Sequence, residues 1–129
     1  MGDSSSAFVL EVLELHRWAN DTTTLELYYE TVKQIVHWQL KQSEKYGLPL
    51  KLETSYDILG FPEYELASYN SVFHIATLAA AAELADAMAD AAFAAACRVN
   101  KVKATAAFDA LQWNSSKSCL LYTSDAADE

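Results

Sequence analysis

The stretch "ATLAAAAELADAMADAAFAAAC" (Ala76 to Cys97) leaves the chain few ways to fold. Alanine gives up no side-chain entropy in a helix, and its short side chain lets helices approach each other closely. The run is low in complexity, yet Phe73, Leu84, Met88, Phe93, Val99 and Phe108 keep the region amphipathic, which favours packed helices over a linker. Asp90 is placed to cap a helix start, so the spacing predicts one helix over Ser68 to Met88 and another over Ala91 to Trp113.

Upstream, Phe8, Val9, Val12, Leu13 and Leu15 repeat at the i, i+3, i+4, i+7 spacing of an amphipathic helix from Ala7 to Trp18. It should break at Asn20-Asp21. "TTLE" (Thr23 to Glu26) then has the Thr-x-x-Glu spacing whose side chains satisfy free backbone donors, so Asp21 or Thr23 is expected to cap a second helix. Leu25, Tyr28, Tyr29, Val32, Ile35, Val36 and Leu40 form its buried stripe, with Lys33, Lys41 and Glu44 outside. Gly47 and Pro49 end it near Tyr46. "RWAND" (Arg17 to Asp21) and "AMAD" (Ala87 to Asp90) each end one helix and open another, as in a repeated hairpin. The expected class is all-α. Two hairpins can close a small bundle, or be successive units of a larger helical toroid whose faces neighbours cover.

At 129 residues and 52% hydrophobic, the chain suffices for one domain with a core. Its formal charge of −9, with only nine scattered Lys and Arg, argues against nucleic acid as a partner. No signal-like opening occurs, and no apolar run reaches the roughly 20 residues of a spanning helix, so a soluble chain is expected. The last eleven residues, "CLLYTSDAADE" (Cys119 to Glu129), resemble a transposon-end sequencing adapter translated in one frame. Residues 1–118 are therefore expected to be the natural segment and 119–129 an adapter-derived tail. The tail would take Asp125, Asp128, Glu129 and Cys119 with it. The remaining cysteine, Cys97, reads as a small buried hydrophobe, and a lone thiol fits a reducing, cytoplasmic setting. The sequons at Asn20 and Asn114 are short enough to arise by chance.

His16, His37 and His74 lie on different helices without metal-ligand spacing and read as structural. Neither a phosphate-binding Gly loop nor a G-x-S-x-G elbow is present, and Cys97 has no nucleophile signature. Trp18, Tyr28, Tyr29, Trp38 and Trp113 sit at helical spacings and read as core rather than ligand platforms. That leaves the segment from Leu48 to Leu66, which holds both prolines and Gly60 and lacks helical period; a connection of that length is often functional. Within it Asp57 follows Ser55 and Tyr56. Beside aromatic and apolar residues, a carboxyl can have its pKa raised by desolvation, as a general acid requires, whereas the plainer reading is a cap or a solvated acid.

"FVLEV" (Phe8 to Val12), "TSYDILG" (Thr54 to Gly60), Tyr69 at a helix start, the Ala-rich helix and "AFDALQWN" (Ala107 to Asn114) occur in the order and spacing of one enzyme family. Residues 3–118 resemble glycoside hydrolase family 116, which includes the non-lysosomal glucosylceramidases and bile-acid β-glucosidases. The resemblance implies an (α/α)6 toroid, of which this chain would hold two hairpins, and a β-glucoside or glucosylceramide-type substrate with no cofactor and no metal. It also implies that Asp57 is the acid/base and that Ser55 binds the sugar near its 2-hydroxyl. Serine replaces the family's usual threonine there, keeping the hydroxyl but losing a methyl. "YNSVFH" (Tyr69 to His74) departs from the small-residue pattern of well-known members. The family's nucleophilic glutamate lies upstream of the matching segment, so the fragment alone is expected to be inactive. Two other readings remain: another helical-toroid enzyme of the glutaminase A-like kind, which a second Asp at the place of Tyr56 would have favoured, and a non-catalytic helical interaction domain.

Overall fold

The computed structural model describes residues 2–20, 22–50, 52 and 66–121. Within them the chain is all-α. Helices α1 (Gly2–Ala19), α2 (Thr23–Gln42), α3 (Ser68–Ala87) and α4 (Ala91–Gln112) follow in order, and the two-residue strands β1 (Trp113–Asn114) and β2 (Cys119–Leu120) form a small antiparallel hairpin after α4. The opening residues of the adapter-like tail thus pair with the end of the preceding segment. Leu121 N–H also donates to Gln112 O at 2.8 Å, and Ser68 Oγ donates to Leu121 O.

Helix α1 starts five residues before the expected Ala7, because Ser5 and Ser6 turn their hydroxyls back onto Gly2 O at 2.7 and 3.2 Å and prolong the first turn. It ends where expected: Asn20 takes a left-handed conformation (φ 50°) and its N–H closes on His16 O at 2.9 Å. Of the two residues expected to cap α2, Asp21 lies outside the described residues and Thr23 is the first residue of the helix. Thr22 is its N-cap, in a helical rather than extended conformation, and its side chain makes no cap bond. The helix also stops at Gln42 rather than Tyr46. Ser43 Oγ donates to Gln39 O at 2.7 Å, and Gly47, at φ 77°, donates its N–H to Ser43 O at 2.8 Å. The turn between α3 and α4 follows expectation. Ala89 is left-handed (φ 56°), and Asp90 Oδ1 accepts from Phe93 N–H at 3.1 Å.

Helices α1 and α3 are parallel neighbours. Their C-terminal halves meet in the ion pair of Arg17 with Glu83 at 2.7 Å, while Ser6 and His74, in their N-terminal halves, both bond Gln39 of the antiparallel α2. Helix α3 packs against all three other helices, which explains why most of it is apolar or small and why Leu78, Ala80, Ala81, Ala82, Leu84 and Ala85 lie in the core. Leu25, Tyr29, Val32 and Val36 of α2 are buried as the periodicity predicts, and Tyr28, Ile35 and Leu40 are half-buried against the cluster.

The tryptophans depart from expectation. Trp18 is 84% exposed, and Trp38 and Trp113 are also exposed. The reason is angular: nine residues past Val9, at about 100° per residue, Trp18 lies opposite the buried stripe of α1. Val99 and Val102 of α4 and Leu27 of α2 are likewise exposed, on faces turned away from α3. Among the described residues no helix is long and apolar enough to cross a membrane.

Candidate functional site

Asp57 and Ser55 lie outside the described residues. What is described is the frame from which their segment starts and to which it returns. Leu48 and Leu52 after α2 and Leu66 before α3 are buried. Leu52 lies tight against Gly2, where a Cβ would stand 2.5 Å from Leu52 Cδ1, and its carbonyl accepts from Asn70 Nδ2 at 2.7 Å. The connection therefore leaves and re-enters the helices at one end, where α1 and α3 begin and α2 ends. Asn70 Oδ1 at that end is buried and has no hydrogen-bond partner among the described residues.

The described residues line several cavities at this end, two of them with charged side chains in their walls. The first, about 390 Å³, lies between the first turns of α1 and α3, with Asp3, Ser4, Ala7, Phe8 and Glu11 on one wall and Tyr69 and Phe73 on the other. The two aromatic rings of α3 pack edge to face at 4.9 Å. Asp3 is buried, and its Oδ1 accepts from Ser4 N–H at 2.8 Å. Acids beside aromatic faces suit a ligand with both hydroxyls and an apolar face. The second, about 320 Å³, lies between the end of α2 and α4 and is lined by Leu40, Ser43, Glu44, Gly47, His74, Asn100 and Lys103.

Between the cavities runs a line of buried polar side chains. Ser6 Oγ donates to Gly2 O, and Gln39 Nε2 donates to Ser6 Oγ at 2.8 Å. Gln39 Oε1 faces His74 Nδ1 at 2.9 Å, and His74 Nε2 lies 3.4 Å from Ser43 Oγ. Burial lowers the His74 pKa to about 4, so the ring is neutral at ordinary pH. His74 is structural, as its isolated position suggests, but within a polar network rather than an apolar core. The sequence carries a signal for this that periodicity alone passes over. Asn70, Ser71, His74 and Thr77 occupy one helical face, which Leu78, Ala81 and Ala85 continue.

Other candidate groups are quiet. Cys97 is buried, and desolvation pushes its thiol up to about 11, so it is a small hydrophobe without thiolate character. The His37 ring packs 5.6 Å from that of Phe93. Among the described residues no three His, Cys, Asp or Glu side chains stand together as a metal site. Neither a family model nor a curated protein matches this chain.

Proposed function

We propose that this chain is part of a retaining β-glucosidase of the glucosylceramidase-like kind, in which residues 1–118 supply two successive hairpins of an (α/α)6 toroid. Asp57 is its acid/base, and Ser55 is the hydroxyl that holds the sugar near its 2-hydroxyl. The observation carrying this reading is the frame of the connection. Its described flanks meet α2 and α3 at the end where Asp3, Glu11, Phe8, Tyr69 and Phe73 line a cleft. The parallel pairing of α1 with α3 and the exposed apolar residues Leu27, Val99 and Val102 also suit hairpins that neighbours cover on both sides.

In a retaining glycosidase two carboxyls stand about 5–5.5 Å apart. One attacks the anomeric carbon. The other protonates the leaving oxygen, then removes a proton from the water that releases the sugar. Asp57 takes the second role. The resemblance implies that the nucleophile belongs to a segment upstream of the matching one, and Glu11, Glu14, Glu26 and Glu30 are helix-face residues of α1 and α2.

The test is to read the parent coding sequence outward from the codons for Thr54 to Gly60 and to express the whole protein. It is expected to hydrolyse 4-nitrophenyl β-glucoside with retention, and Asp57→Asn to lower the rate by roughly 10²–10⁴. A parent without an upstream glutamate segment, or an Asp57→Asn enzyme of unchanged rate, ends this reading. Hydrolysis by the 129-residue chain alone, abolished by Asp57→Asn, would show that the missing-nucleophile account is wrong.

A further inference from the structure

Two helix stripes stay uncovered in the folded chain. On α2, Leu27, Thr31, Gln34, Trp38 and Lys41 are exposed and recur alternately four and three positions apart. On α4, Ala95, Val99, Val102, Ala106 and Asp109 are exposed at the same spacing. That is the spacing of a helix seam that a second helix covers. Leu27 is 71% exposed and Val102 69%, so a covering helix would take much apolar surface out of water. Within the chain α2 and α4 meet along other faces, where Tyr29 bonds Asp90 and His37 packs on Phe93. Neither stripe therefore covers the other in the same molecule.

The stripes nevertheless fit each other. Thr23 and Ala91, which open the two helices, are sixty-eight positions apart. With these starts level and the helices parallel, each residue of the α2 stripe faces the one sixty-eight positions later. Leu27 and Trp38, the large apolar side chains of α2, then fall opposite Ala95 and Ala106, which leave room for them. Thr31 and Gln34 fall opposite Val99 and Val102. In the last layer Lys41 faces Asp109, and neither is in an ion pair among the described residues. At the flank Glu30 comes beside Lys103, as side chains bordering a parallel seam do. No layer brings like charges together, and a shift of one heptad either way separates Lys41 from Asp109.

We propose that the occupant of each stripe is a second copy of this chain, with α2 of one copy seated on α4 of the other in this register. Size and charge match layer by layer, which a chance pair of apolar faces would not do. The contact is one helix pair about 30 Å long, small beside a standard interface, so a dissociation constant on the order of 100 µM is expected. It uses neither Asp57 nor Ser55, so its failure and the failure of the glycosidase reading are separate results.

Sedimentation equilibrium of the 129-residue chain tests the pairing, in low salt and with a reductant that keeps the exposed Cys119 from cross-linking copies. Between about 10 µM and about 1 mM the mean mass should rise from 14.3 kDa to twice that or beyond. Lys41→Glu and Asp109→Lys, both at exposed positions, each set like charges opposite one another and should weaken association about tenfold. An equal mixture of the two variants should associate within about twofold of the wild type, because each changed stripe then meets an opposite charge on the other variant. Restoration by mixing can arise only between copies, and it fixes the register. A mass of 14.3 kDa at every concentration overturns the proposal. So do single variants that associate like the wild type, or a mixture no stronger than its components.

Discussion

At the turn end of the hairpins, Leu25, Tyr29, Leu84, Ala85 and Phe93 meet as an apolar core. At the connection end, helix positions equally removed from water hold Ser6, Gln39, Asn70, Ser71 and His74. Burial is the same at both ends, but what each will tolerate is not. An apolar contact is non-directional and loses energy in proportion to the volume removed. A buried polar chain depends on each donor finding its acceptor, and one broken link leaves a group desolvated and unpaired. The turn end should therefore respond to changes in size, and the connection end to changes in protonation and hydrogen-bond identity.

The largest effect belongs to the apolar end. Leu84 is fully buried between helices, and Leu84→Ala should reduce unfolding free energy by about 2–5 kcal/mol. Urea denaturation should show a lower midpoint with an unchanged slope. A loss under about 1 kcal/mol would mean that the site collapses around the cavity, and the contrast between the ends would lose its basis.

At the polar end the lever is pH. The His74 pKa falls from 6.5 to about 4 on folding, because burial disfavours the charged ring. Below pH 6.5 the unfolded chain takes up a proton that the folded chain refuses until about pH 4. Stability should therefore fall as pH drops through that window and be unaffected by this group above it. The full difference corresponds to about 3 kcal/mol. His74→Gln, which cannot titrate, should flatten the dependence between pH 6.5 and 4 even if it lowers stability overall. Glu44 and Lys103, which share the cavity wall with the ring, should be mutated in parallel to separate their contributions. A wild-type profile as flat as that of His74→Gln would place the ring in water.

How much of this is legible in the sequence differs along the same axis. All four helices are, because the 3.6-residue period and the alanine run act locally, and α3 and α4 end within one residue of where spacing puts them. The polar end is not, because Gln39 and His74 become partners only after two helices thirty-five positions apart are brought together. Trp18 shows the opposite error: a large aromatic at helical spacing reads as core until its angle to Val9 and Leu13 is considered. Asp57 and Ser55 are legible only as members of a family-like motif, since a lone acid in a non-periodic segment has no pattern of its own. The described structure supplies the ends of their segment and no contact of theirs.

The two turns give a finer form of the comparison. Asp90 both caps α4 through Phe93 N–H and accepts from Tyr29 Oη at 3.0 Å; desolvation, and then this contact, holds the Tyr29 phenol well above its ordinary pKa range. Asp90→Ala should cost about 1–2 kcal/mol, the usual range for a lost cap. Asp90→Asn should recover much of that, because its amide oxygen can still accept at the cap.

Thr22 occupies the corresponding place before α2, but its side chain makes no cap bond, and the first α2 bond, from Glu26 N–H to Thr22 O at 2.8 Å, uses only backbone. Thr22→Ala should therefore change stability by no more than about 0.5 kcal/mol, as at surface positions without a special role. The sequence places Asp21 or Thr23 at the first turn much as it places Asp90 at the second, so sequence alone predicts a side-chain cap at both turns. The structure predicts unequal losses at Thr22 and Asp90, because Asp90 sits against Tyr29 and Phe93 while Thr22 is exposed. Measured by urea midpoint in the same buffer, equal losses at Thr22 and Asp90 would show that a cap forms at both turns in solution. A loss confined to Asp90 would show that the contact across the hairpins, rather than the local motif, decides which turn holds its helix start.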